Sequence, residues 1–186
     1  MRRHFCATGT PWTVEGISCQ FYRYNRIEPY FAFGTGLHGL DALRFLVDSE
    51  VAEVHTRLGA HGSAQITLVL ESGALGLMEM LPAVGMNSER YTAHAGERTV
   101  VVEGVIAWLT LFPGFLQCFD AGRLIQTVEN QPGAEAREVV SGFYGESAAF
   151  ITALRQGQRP APDLRTALRS VEIAEAVEQG RSLVFD

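Results

Sequence analysis

The chain has 186 residues, 47% of them hydrophobic, and a formal net charge of −6. That length suits a single domain with a substantial core, and the acid excess excludes the basic footprint that nucleic acid requires. No apolar run reaches the roughly 20 residues of a membrane span; even the stretch 100–115 is interrupted by Glu103, Gly104, Thr110 and Pro113.

Residues 13–24 carry Val14, Ile17, Cys19 and Phe21 and read as a strand, followed by a polar break at 25–29. Leu37, Leu40, Leu43, Phe45 and Leu46 recur at helical spacing and predict a helix over 37–47. Strands follow at 51–58, at 64–70, where Ile66, Leu68 and Leu70 alternate with Gln65, Thr67 and Val69, and at 74–81 across the Glu71-Ser72-Gly73 turn. Two further hairpins are expected, 90–95 with 98–102 around Gly96-Glu97, and 115–119 with 124–128 around Asp120-Ala121-Gly122-Arg123. The end of the chain turns helical. Phe143, Ala148, Phe150, Ile151 and Leu154 mark one stripe over 141–155, closed by Gly157. Asp163 can cap a last helix running to about Gln179, with Leu164, Leu168, Val171, Ala174 and Val177 expected on its inner face.

Strands in a run followed by helices indicate one α+β domain over 1–186, with an open, mostly antiparallel β-sheet and helices packed on one face. Three helices are too few to cover both faces of so wide a sheet. A bare face carrying apolar side chains marks an interaction surface, so the domain is expected to pair through its sheet.

Every one of the 15 basic residues is Arg. Without Lys the chain has no ammonium for a Schiff base or a Walker-type phosphate loop. Cys6, Cys19 and Cys118 are odd in number and lack metal-ligand spacing, as do His4, His55, His61 and His94, so no metal site is expected. The N-terminal Met1-Arg2-Arg3-His4-Phe5 has no apolar segment behind its basic residues, so no signal peptide is read and a cytoplasmic location is the default.

Gly34-Thr35-Gly36-Leu37-His38-Gly39 matches the G-x-G-x-x-G pattern that lets backbone approach a dinucleotide pyrophosphate. The run before Gly34 is only four residues long and follows Glu28-Pro29, and the rest of the chain supplies hairpins instead of strand-helix-strand units. A glycine-rich entry to an ordinary helix is the preferred reading, and no cofactor-binding residue is assigned.

The same segment fits another pattern. His38-Gly39-Leu40-Asp41-Ala42-Leu43-Arg44-Phe45-Leu46 resembles the His-x-x-Asp-x-x-Arg-x-Leu helix of the glucose–fructose oxidoreductase and inositol dehydrogenase (Gfo/Idh/MocA) family. Residues 65–76 resemble that family's central hairpin, and Glu89-Arg90-Tyr91 with Gly96 its next strand. Residues 150–157, Pro160, Pro162 and 167–176 resemble its closing helices. The likeness runs in order along nearly the whole chain. It implies the C-terminal domain of a two-domain enzyme acting on a sugar, polyol or related hydroxyl compound, with the N-terminal Rossmann domain that binds NAD or NADP absent. It further implies a small-molecule substrate, a homodimer or tetramer formed through the open sheet, and a separate Rossmann subunit as a candidate partner. No nucleic acid and no membrane are expected.

Under this resemblance His38 faces the substrate and helps move the proton of an alcohol–ketone interconversion, a task that imidazole suits because it titrates near neutrality. The family commonly has Asp four residues earlier; here that position is Gly34. Asp41 is expected to favour the positive end of its helix. Arg23, Asn25 and Tyr30 are candidate substrate-binding residues, in a cluster with Tyr24 and Arg26. The family's principal catalytic lysine belongs to a Glu-Lys-Pro motif of the absent domain, so this chain is expected to be inactive alone. The alternative is a stand-alone dimerisation or small-molecule-binding module without redox chemistry.

Overall fold

The computed structural model describes residues 13–104, 114–129, 136–140 and 142–185. His4, Cys6 and the N-terminal segment read for a signal peptide lie outside them.

Among the described residues nine strands form one sheet: β1 (Gly16–Tyr22), β2 (Val51–Leu58), β3 (Ala64–Leu70), β4 (Leu75–Leu81), β5 (Ser88–Ala95), β6 (Arg98–Glu103), β7 (Phe115–Asp120), β8 (Arg123–Glu129) and β9 (Leu183–Val184). Their order is β8-β7-β6-β5-β1-β4-β3-β2-β9. Each hairpin pairs its neighbour antiparallel, and only β1 with β4 runs parallel. The parallel pair exists because the chain leaves β1 through a helix and returns as β4 only after β2 and β3, the crossover that parallel pairing demands. The turn residues behave as their chemistry dictates: Gly73, Gly96 and Gly122 all adopt positive φ.

Helices α1 (Leu37–Val47), α2 (Arg137–Val140), α3 (Phe143–Arg155) and α4 (Leu164–Glu178) complete the described fold. A π-helical turn, Ala32–Gly36, runs directly into α1. The short apolar run before Gly34 is therefore helical, and the dinucleotide motif lacks the strand it needs. Its glycines instead seat the helix on the sheet. A Cβ on Gly39 would come within 2.5 Å of Met78 Cε and 2.9 Å of Phe21 Cδ2, and one on Gly36 within 2.7 Å of Met80 Sδ. Gly34 has open space around it. Gly39→Ala is therefore expected to lower stability, because overpacking of roughly 1–3 kcal/mol exceeds the gain of about 1 kcal/mol from better helix propensity. Gly34→Ala is expected to be neutral or stabilising. Thermal melts of the two variants make the comparison.

The core lies between this helical layer and one face of the sheet. Ile17, Cys19 and Phe21 of β1 meet Leu40 and Leu43 of α1, with Ile66, Met78, Tyr91 and Ile173 around them. Burial and the neighbouring Glu89 carboxylate push the Cys19 thiol up, and Tyr91 is raised as well, chiefly by burial. The opposite face is open: Leu75 and Leu77 of β4 are exposed there, opposite Val69 and Thr67 of β3. Tyr22 sits on this face and donates a 2.6 Å hydrogen bond to Glu79 Oε2. Partial burial and that hydrogen bond push its phenol up to about 12. A raised folded pKa means that the contribution to stability is complete below the ordinary phenol range and is lost as pH rises through about 12. An alkaline titration followed by phenolate absorbance should lose one late step in Tyr22→Phe.

The last helices correct the expected faces. Asp163 caps α4 as predicted, accepting from Arg165 N and Thr166 N. Its buried stripe, however, is Ser170, Ile173, Ala174, Ala176 and Val177, while Leu164 is 88% exposed and Leu168 and Val171 also face outward. The helix carries apolar residues on more than one side, and the side that meets β2 and α1 starts a turn later than spacing alone suggested. In α3 the predicted inner residues Phe143, Phe150, Ile151 and Leu154 are all exposed. Among the described residues this helix packs on α2 and contributes nothing buried to the sheet layer.

Candidate functional site

The sequence at the end of β1 builds a rigid corner. Arg23 N donates to Leu81 O, Arg26 N to Pro82 O and Val84 N to Arg23 O, so this loop is clamped to the one leaving β4. Arg23 itself corrects its expected role. It is 2% exposed, and its Nη2 pairs with Glu89 Oε1. Nη1 donates to Tyr22 O at 2.9 Å, and the guanidinium stacks 3.8 Å over the Phe21 ring. A group committed in this way braces the corner and does not face a cleft. Asn25 is exposed just beyond it, with a positive φ of 51°.

Tyr30, also exposed and at positive φ, forms part of the wall of a cavity of about 420 Å³. Arg26, Glu28, His61 and Glu178 also line it, together with the apolar Leu58, Met80 and Val177. Arg26 Nε donates to Glu28 Oε1 at 2.7 Å and Nη2 to Thr35 Oγ1 at 2.7 Å. The Arg26 hydrogen bond holds the Glu28 carboxyl below the usual range. Glu178 Oε1 accepts from Ala32 N at 2.6 Å, tying the end of α4 to the start of the π-helical turn. Glu28 and His61 carried no signal as a pair in sequence, and Glu178 lies 146 residues from the backbone group it binds.

His38 is exposed on α1, on the side away from the buried Leu40 and Leu43. Gly34, Asp41 and Phe45 are exposed with it at helical spacing, so the residue the family resemblance singles out stands on the exposed side of the helix. The cavity beside Tyr30 does not include His38 or Asn25, so the candidate residues do not share it. Asp41 corrects a second expectation. It sits beyond the first turn of α1, accepts a hydrogen bond from Ser170 Oγ and lies 3.5 Å from Arg44 Nη1. Arg44 is the hub: its Nη1 donates to Ser170 Oγ at 2.6 Å and to Thr166 O at 2.8 Å, and its Nη2 to Glu50 Oε2 at 2.6 Å. The Asp and Arg of the His-x-x-Asp-x-x-Arg pattern thus join α1 to α4, while its His is left outward.

His94 accepts or donates to Thr99 Oγ1 at 2.9 Å on the open face. Among the described residues no group of three His, Cys, Asp or Glu side chains is placed to hold a metal ion, and no helix is long and apolar enough to cross a membrane.

Comparison with known proteins places the fold. No protein-family model matches the chain, and no curated protein does. Solved structures do. An oxidoreductase domain protein from Kribbella flavida superposes with a TM-score of 0.76 at 18% identity, covering 100% of this chain and 62% of that one. Levoglucosan dehydrogenase in complex with NADH superposes with a TM-score of 0.74 at 15% identity, over 100% of this chain and 62% of its own. Aldose-aldose oxidoreductase from Caulobacter crescentus, complexed with glycerol, gives 0.72 at 14% identity, over 98% and 58%. The chain therefore has the α+β fold found in oxidoreductases of the glucose–fructose oxidoreductase and inositol dehydrogenase type, and spans about 60% of the length of these structures.

Proposed function

We propose that this chain is the C-terminal, substrate-side domain of an NAD(P)-dependent oxidoreductase acting on a hydroxyl of a sugar, polyol or related compound. The observation that carries this reading is the superposition of the whole chain on part of several oxidoreductases, with His38 outward on the exposed side of α1. The imidazole of His38 would exchange the proton of the reacting hydroxyl, and Asn25 and Tyr30 would orient the substrate from the neighbouring loop. Arg23 acts at one remove, by bracing that loop. The nicotinamide cofactor, when bound by a Rossmann partner, supplies hydride acceptance. The glycine motif of this chain does not fit a dinucleotide, because Gly36 and Gly39 lie against Met80, Met78 and Phe21. The chain alone is accordingly proposed to be inactive. Titration of NADH and NADPH against it, followed by cofactor fluorescence, should give no stoichiometric binding; a saturable one-to-one signal sinks this assignment.

The open sheet face supports homodimer or tetramer formation, through Leu75 and Leu77. Leu77→Arg is expected to shift the assembly toward monomer, weakening association by about tenfold or more for a charge buried in an apolar contact. Light scattering after size exclusion reads the mass, and a parent chain that is monomeric at high concentration refutes the pairing.

A stand-alone dimerisation or small-molecule-binding module without redox activity is the second reading. Gly34 favours it, standing in open space where the family commonly has an acid, as does the complete lack of Lys. A Rossmann-encoding segment adjacent in the gene would decide for the first reading. The same default that places the chain in the cytoplasm belongs with either.

A further inference from the structure

We infer that strand β8 pairs edge to edge with β8 of a second copy of this chain, antiparallel and centred on Gln126, a contact separate from the open sheet face. Among the described residues β8 is the last strand at its end of the sheet, beyond β7. All seven of its residues, Arg123–Glu129, are exposed. Successive side chains of a strand point to opposite faces, so β8 is bare on both. The strand at the other end of the sheet, β9, has only two residues, and so short an edge offers little to pair with. β8 is long enough to offer a row of backbone donors and acceptors. It also carries three large apolar side chains, Leu124, Ile125 and Val128, each about half exposed.

The charges select the partner and the register. Arg123 and Glu129 stand at the two ends of β8, equally far from Gln126. Neither forms an ion pair among the described residues. Charges and β-bulges are the usual guards of an edge. β8 has both, with Ile125 the extra residue where Cys118 faces Gln126 and Phe119 faces Leu124. Charges of one sign would repel a second copy, but these two are opposite. A two-fold axis at Gln126 sets Arg123 of each copy against Glu129 of the other, Leu124 against Val128 and Ile125 against Thr127. Two ion pairs then close the ends, and no charge is set against an apolar side chain. A parallel, in-register pair would put Arg123 on Arg123 and Glu129 on Glu129, and like charges directly opposite are destabilising. A foreign strand of uniform charge would likewise meet its own sign at one end. The antiparallel contact is isologous, so it closes on two copies.

The test uses the full chain. Gln126→Cys sets two thiols directly opposite, with Cβ atoms about 5 Å apart, close to the separation a disulfide needs. Mild copper-phenanthroline oxidation should give a covalent dimer on a non-reducing gel, above the level of the parent chain with its own three cysteines. In Leu124→Cys the two thiols lie about 14 Å apart along the strands and should not link. Sedimentation in the Leu77→Arg background then reads the edge without the open face. Arg123→Glu and Glu129→Arg should each weaken association there by about tenfold, and the double reversal should restore it. If Leu77→Arg does not fold, the two cysteine variants in the parent chain carry the test. The inference is overturned by absence of a covalent dimer from Gln126→Cys, by equal linking in Leu124→Cys, or by a double reversal that associates no better than the single changes. Failure of the face pairing would instead appear as an unchanged mass in Leu77→Arg, with the cross-link at position 126 unaffected.

Discussion

Glu89→Ala is expected to lower the free energy of unfolding by about 3–5 kcal/mol, the usual cost of leaving one member of a buried ion pair without its partner. Both side chains are nearly inaccessible, at 2% for Arg23 and 5% for Glu89. Removing the carboxylate strands the guanidinium against the Phe21 ring, with Nε already lacking a hydrogen-bond partner. Tyr91 loses an acceptor as well, since its hydroxyl donates to Glu89 Oε2 at 3.4 Å. The remaining bonds to Tyr22 O and Ser88 O and the aromatic face offset only part of this. For a domain whose whole stability is typically about 5–15 kcal/mol, such a loss threatens folding at ambient temperature. Urea denaturation measures it. The double variant Arg23→Met with Glu89→Leu should lose much less than the sum of the single changes, because it buries no uncompensated charge. Loss of less than about 1 kcal/mol in Glu89→Ala would mean that the guanidinium finds water and that the corner is not a closed core.

Arg44→Ala is expected to cost roughly 2–4 kcal/mol, since it removes a buried side chain and leaves Ser170 Oγ and Thr166 O without its donors. The figure is held below that of Glu89→Ala because Asp41 and Glu50, the carboxylates left behind, are nearly half exposed and can turn to solvent. The effect should localise: α4 is fastened to α1 through this residue, so hydrogen exchange should accelerate first in 164–178 while the β3–β4 hairpin keeps its protection. Uniform acceleration over the whole sheet would contradict the role of Arg44 as a joint between two helices. Arg44→Lys should restore little, because one ammonium cannot reproduce the fork that reaches Glu50, Ser170 and the Thr166 carbonyl together.

Much of the architecture is legible in the sequence. Alternation of Ile66, Leu68 and Leu70 placed β3 correctly, because a strand with one buried face must repeat every two residues. Glycine turns marked three hairpins, at Gly73, Gly96 and Gly122, because positive φ is needed there whatever the surroundings. The two-residue strand β9 was missed, being too short to carry a pattern. The inner faces of α3 and α4 were misjudged because both helices are apolar over more than one stripe, and periodicity identifies a stripe without naming its partner. At the site, the polar break before Tyr30 is legible in the sequence as a loop. The burial of Arg23 is not, since a polar cluster in sequence does not reveal that Glu89 arrives from β5 in register opposite Phe21.

By itself, then, the sequence determined the α+β class, the hairpin order and the ends of most elements, because these depend on local backbone preferences and on the spacing of apolar residues. It also determined the absence of lysine chemistry, which is a property of composition. The tertiary structure alone decided the uses of the polar residues. It made Gly36 and Gly39 packing contacts, set Asp41 and Arg44 between two helices, enclosed Arg23 with Glu89, and brought Glu178 to Ala32 across 146 residues. Each of those roles is fixed by what stands within about 3 Å in the folded chain, the range over which hydrogen bonds and ion pairs act, and residues so close in space leave no mark on their distance in sequence.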